Sequence, residues 1–131
     1  MSSSLPAKVG AFVLFIDDVR RSKAFYERVF GVQPLFEDDT SVAYRFGDTI
    51  VNLAERSGAP ELIEPAPVAD PGAGSSVMFT LWVPSCDEAC ATLAGLDVAL
   101  VNGPIDRPWG VRTATFADPD GHVWEVAQQL G

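Results

Sequence analysis

Phe116-Ala117-Asp118-Pro119-Asp120-Gly121-His122-Val123-Trp124-Glu125-Val126 reads as strand, tight turn, strand. Asp118 can accept a local backbone hydrogen bond, Pro119 pre-sets φ for a turn, and Gly121 tolerates positive φ. Beyond the turn the chain alternates. Val123, Glu125 and Ala127 fall on one face, Trp124 and Val126 on the other. One carboxylate, Glu125, therefore stands among apolar neighbours in a predicted strand. A charge there must face water or find a partner.

Working outward, two halves follow one plan. The first begins with an apolar run over residues 9–16. Asp17 or Asp18 can cap a helix over residues 19–30, with Phe25, Val29 and Phe30 as its apolar stripe and Gly31 at its C-terminal stop. Strand candidates follow at 33–37, 41–46 and 49–55, the last two joined by a turn at Gly47-Asp48. Residues 57–75 hold Pro60, Pro65, Pro67 and Pro71 and read as a linker or wrapping loop. The second half restarts with an apolar run over 77–83. Ser85 and Glu88 form a capping box that opens a helix to about Ala94. Strand candidates follow at 97–101, 111–117 and 122–128, with a loop at 102–110 stiffened by Pro104 and Pro108. The expectation is an α+β domain over residues 1–131, with βαβββ modules at 9–56 and 76–129. Each module alone is too small to be more than marginal.

Alternation sorts the strands into two faces. Phe12, Leu14, Ile16, Val51, Leu53, Phe79, Leu81, Trp124 and Val126 lie on wholly apolar faces suited to carry helices. The other parity mixes Asn52, Thr80 and Glu125 with Phe15, Met78 and Trp82. Large apolar side chains with a few polar groups suit a small-molecule cleft. Arg112 shares parity with Ala114 and Phe116; whether that is the face of Glu125 depends on register across the turn.

Composition limits the partners. Apolar residues make up 47% of the 131, and the formal net charge is −9, so a nucleic acid would be repelled. No apolar run approaches about 18 residues, so no membrane span is expected. The N-terminus lacks a basic start followed by an apolar stretch, which leaves a cytoplasmic location as the expectation. Cys86 and Cys90 lie one helical turn apart and read as small apolar residues, because the single histidine, His122, leaves a metal cluster short of donors.

Three motifs then appear in order: Asp18-Val19-Arg20-Arg21-Ser22-Lys23-Ala24-Phe25-Tyr26, then Val29-Phe30-Gly31, then the terminal hairpin. Together they make the chain resemble the vicinal oxygen chelate superfamily, which includes glyoxalase I, extradiol dioxygenases and bleomycin-resistance proteins. The resemblance spans residues 9–128. It implies paired βαβββ modules whose mixed sheets curl around a cleft, with helices outside, often in a homodimer. Metal-dependent members place four ligands in the cleft, typically His, Glu or Gln. The motifs map those positions to Ala11, Asn52, Met78 and Glu125. Alanine has no donor atom, a thioether suits soft metals, and one amide with one carboxylate is a poor site for Zn²⁺, Ni²⁺, Mn²⁺ or Fe²⁺.

Trp109-Gly110-Val111-Arg112 followed by Asp118-Pro119-Asp120-Gly121 is similar to the arrangement in drug-binding members of that superfamily. The resemblance thus implies a binding protein for a hydrophobic or aromatic small molecule, with no cofactor. The expected ligand contacts are Phe15, Asn52, Met78, Thr80, Trp82, Trp109, Arg112 and Glu125, with Phe36 and Tyr44 as further walls. Trp109 is expected either at the cleft mouth or plugging the core. The alternative is an atypical lyase, isomerase or dioxygenase, in which Glu125 would serve as general base without an accompanying nucleophile.

Overall fold

The computed structural model describes residues 5–131. The start of the N-terminal segment read above lies outside them. Among these, two compact units emerge, residues 5–23 with 32–68 and residues 24–31 with 69–131. Each contains one four-stranded mixed sheet.

In the first unit the strands are β1 (Ala11–Ile16), β2 (Phe36–Glu37), β3 (Ser41–Phe46) and β4 (Thr49–Glu55), ordered β1-β4-β3-β2. β1 runs parallel to β4, and the other pairs are antiparallel. The register sets Phe12 beside Val51 and Leu14 beside Leu53, with Tyr44 and Val42 opposite the latter two. Leu14, Ile16, Val42, Tyr44, Val51 and Leu53 are all buried. Tyr44 is thus a core residue rather than a cleft wall, because its parity follows Val51. β2 is shorter than expected: Pro34 has no N–H to give a ladder, although Leu35 still donates to Ala43.

Helix α1 (Val19–Phe30) has the expected bounds. The Asp18 carboxylate accepts from the amides of Arg20 and Arg21, and Glu55 accepts from that of Val19. Three donors of the first turn are thereby satisfied. The segment expected to be a linker contains a short helix, α2 (Ala59–Ile63), anchored by the buried Ala59. Pro60 is tolerated because it lies in the first helical turn, where no N–H is needed.

In the second unit the strands are β5 (Met78–Trp82), β6 (Leu100–Arg107), β7 (Val111–Ala117) and β8 (Val123–Gln129), ordered β5-β8-β7-β6. Helix α3 (Cys86–Gly95) begins at Ser85, whose side chain accepts from Glu88 N, and packs along β6, β7 and β8. Cys86 and Cys90 are free thiols on it, and burial pushes the Cys86 thiol up to about 11.

The last two turns of α1 belong to this second unit. Phe25, Tyr26 and Phe30 meet Phe116 and Trp124, with ring centroids 5.2 Å apart for Phe30 and Trp124 and 6.1 Å for Tyr26 and Trp124. Phe79 closes on Trp124 at 4.9 Å. At the centre of this apolar cluster stands a polar chain. Trp124 Nε1 donates to Tyr26 Oη at 3.0 Å, and Tyr26 Oη donates to Asp118 Oδ2 at 2.6 Å. Asp118 Oδ2 also meets His122 Nδ1 at 2.8 Å, while Oδ1 accepts from the amides of Asp120 and His122. Burial alone would raise the Asp118 carboxyl, but the bonds from His122 and Tyr26 outweigh it and hold the group below its usual range. Burial, reinforced by Asp118, drives the Tyr26 phenol well above its usual range, so it remains a donor.

β6 replaces the expected loop. Two register shifts along it let Asn102 face Thr115 and Ile105 face Thr113. Pro104 fits because β6 is an edge strand and the shifts leave it outside the ladder. Gly103 has φ of 96°, and a Cβ there would lie 2.6 Å from Ala114 Cα and from Thr113 O. Gly103→Ala is expected to lower unfolding free energy by about 1–3 kcal/mol, read by urea denaturation; an unchanged midpoint would contradict this close approach. The Asp118 carboxylate contributes stability that is complete above its ordinary value of 3.8 and is lost as pH falls below it. The stability difference between wild type and Asp118→Asn is therefore expected to shrink below that pH, and a difference constant down to the acid transition would contradict the assignment.

Candidate functional site

The alternation of β5 and β8 puts Met78, Thr80 and Trp82 on one face, aligned with Val123, Glu125 and Ala127. Register across the terminal hairpin continues this face into β7 through Thr113, Thr115 and Ala117. The shifts in β6 add Asn102 and Ile105. Thr80, Glu125, Thr115 and Asn102 thus form one polar row crossing all four strands. Thr80 Oγ1 donates to Glu125 Oε1 at 2.8 Å, and Thr115 Oγ1 donates to Asn102 Oδ1 at 2.9 Å. Apolar side chains flank the row: Met78 and Val123 on one side, Trp82 and Ile105 on the other. Glu125 is half-buried, whereas Trp82 is 64% exposed and Met78 47%.

Trp82 also borders an open depression of about 520 Å³, lined further by Val83, Pro84, Gln128 and Gln129. In the other sheet, Ala11, Val13, Phe15, Ala43 and Asn52 share the face opposite the core. Phe15 is half-buried there. Asn52 Oδ1 is buried and has no hydrogen-bond partner, an acceptor left for a donor from elsewhere.

Of the expected ligand contacts, Met78, Thr80, Trp82 and Glu125 share one face of one sheet, and Phe15 and Asn52 one face of the other. Phe36 stands on the latter face, opposite Ala43 in register and exposed. One expected contact needs correction, and one of the two placements left open for Trp109 is excluded. Arg112 does not share the face of Glu125: its register partners are Asp106 and Gln128, on the side packed against α3. There it is an ion-pairing residue, 2.6 Å from Asp106 and 3.2 Å from Asp87, and its guanidinium holds the Asp106 carboxyl below its usual range. Trp109 does not plug the core. It lies in the turn between β6 and β7 and is 70% exposed. Asn102, Thr115 and Arg107 were missed; the irregular register of β6 hides Asn102 and Arg107 from any period-two reading.

The chain matches the model of the Glyoxalase/Bleomycin resistance protein/Dioxygenase superfamily over residues 8–126. It belongs to that superfamily. Its fold is also that of a glyoxalase/bleomycin resistance protein/dioxygenase from Nocardioides, with a TM-score of 0.86 at 23% identity, covering 98% of this chain and 87% of that one. A glyoxalase-related enzyme from Fulvimarina pelagi gives a TM-score of 0.81 at 25% identity, covering 95% and 89%. The virulence protein STM3117 of Salmonella typhimurium is 23% identical over 128 residues, covering 94% of this chain and 85% of its own.

The resemblance assigns the four donor positions of metal-dependent members to Ala11, Asn52, Met78 and Glu125. Ala11 and Asn52 share a sheet face, as do Met78 and Glu125. Within these two pairs only an amide and a carboxylate are oxygen donors, and the carboxylate already accepts from Thr80. Among the described residues, no three His, Cys, Asp or Glu side chains stand together. This donor set does not fit a hard or borderline divalent ion. Because Trp82 is so exposed, Trp82→Ala is expected to change unfolding free energy by less than about 0.5 kcal/mol; a large loss in thermal unfolding would make it a packing residue instead.

Proposed function

We propose that this superfamily member is a metal-free small-molecule-binding protein that sequesters a hydrophobic or aromatic compound, an antibiotic among the candidates. The observation that carries the reading is the composition of the four ligand positions. They retain Glu125 but replace donor side chains by Ala11 and Met78. The faces bearing them pair apolar side chains with a few aimed polar groups, the makeup of an organic-ligand site. Sequestration requires affinity alone. The exposed indole of Trp82 supplies a stacking surface, and Trp109 a second one at the β6–β7 turn.

We take the working unit to be a homodimer in the cytoplasm. No helix among the described residues is long and apolar enough to cross a membrane. The second reading, an atypical enzyme of the superfamily, is favoured by the likeness to the Fulvimarina pelagi glyoxalase-related enzyme. Glu125 would be its base, but Thr80 is its only side-chain partner among the described residues, so no nucleophile–base pair accompanies it.

Two measurements test the proposal. Elemental analysis of the purified protein is expected to find no stoichiometric zinc, nickel, manganese or iron. Titration with a panel of aromatic antibiotics is expected to quench tryptophan fluorescence saturably, and Trp82→Ala to remove most of that quenching. A stoichiometric metal, or flat titrations across the panel, would sink the proposal.

A further inference from the structure

The polar row on the β5–β8–β7–β6 face carries a sign. Thr80 spends its hydroxyl proton on Glu125 Oε1, and Thr115 spends its own on Asn102 Oδ1. At Glu125 itself and on the two hydroxyls in register with it, acceptors then remain: the second carboxylate oxygen and the hydroxyl lone pairs. A carbonyl, ether or anion set against Glu125 would bring a further acceptor to these lone pairs and leave them unsatisfied. Of the flanking side chains, Met78, Val123 and Ala127 supply no donor, and Trp82 supplies one, its indole N–H. The cation on this face, Arg107, directs Nε to Thr113 Oγ1 at 3.0 Å and makes no ion pair with Glu125. Glu125 therefore stands half-buried as a charge without a countercharge among the described residues, beside an exposed indole. A charge-assisted hydrogen bond from a cation would complete this arrangement.

We infer that the ligand presents a cationic hydrogen-bond donor, an ammonium or amidinium group, to Glu125, with its apolar body against Trp82 and Met78. This rests on the small-molecule-binding reading and adds the charge class of the ligand. Contact with Glu125 is distinct from attraction by the net charge of −9, which any acidic residue would serve equally.

The test is calorimetric titration with two planar probes of one shape, 9-aminoacridine, a cation at neutral pH, and acridine, neutral there. Wild type is expected to bind the cation roughly tenfold more tightly, the scale of one charge-assisted hydrogen bond. Glu125→Gln, which keeps the shape, is expected to lose that preference while binding acridine as before. Glu61→Gln removes the same charge from the exposed helix α2 and is expected to keep it. Acridine bound without preference for the cation, or a preference that survives Glu125→Gln, would overturn the inference and leave the binding reading standing. A preference lost equally in Glu61→Gln would also overturn it, by assigning the effect to long-range charge. Absence of binding by either probe to wild type would overturn both.

Discussion

The second unit is organised around one buried carboxylate. Asp118 closes the terminal turn by accepting from the amides of Asp120 and His122, and it anchors helix α1 through Tyr26. Tyr26 in turn satisfies the indole N–H of Trp124 on β8. Each of these groups would be costly to bury alone. Buried together, each fills the other's vacancy, and a segment from the first half of the chain is fastened to the sheet of the second. A network that is fully satisfied in low dielectric specifies one arrangement and penalises the rest. Because Trp124 is pinned on one face of β8, Glu125 must emerge on the other. The structural hairpin and the candidate site are thus two faces of one strand.

That division of labour explains the chemistry left on the open face. The helix-covered side holds the aromatic cluster and the paired Arg112. The opposite side holds the polar row, whose only charged member, Glu125, keeps unspent acceptor capacity. At the positions that the resemblance assigns to metal ligands, Ala11 offers no donor atom and Met78 only a thioether. One retained carboxylate among apolar groups can orient an organic ligand but cannot satisfy a divalent cation by itself.

Much of this was legible in the residues. Helix α1 was readable from Asp18 to Gly31 because caps and apolar period agree there. The faces of β1, β4, β5 and β8 were readable because each strand alternates without interruption. The same reasoning failed at β6. Pro104 and Pro108 look like loop punctuation, yet the strand persists through residue 107 by shifting register twice. Arg112 could not be assigned to a face, since parity across a turn depends on hydrogen-bond pairing between strands. Tyr44 appeared available as a wall until its pairing with Val51 put it in the core.

By itself, then, the sequence determined the order of the elements, the strand parities and the identity of the lone carboxylate. These depend on local periodicity, capping and turn chemistry, which act over a few residues. Only the tertiary structure decided that Asp118 would bind a tyrosine 92 positions away, that Asn102 would join the polar row, and that Arg112 would turn from it. Those outcomes depend on which strands pair and in what register, and on which buried polar groups find partners. Both are non-local constraints that no window of the chain contains.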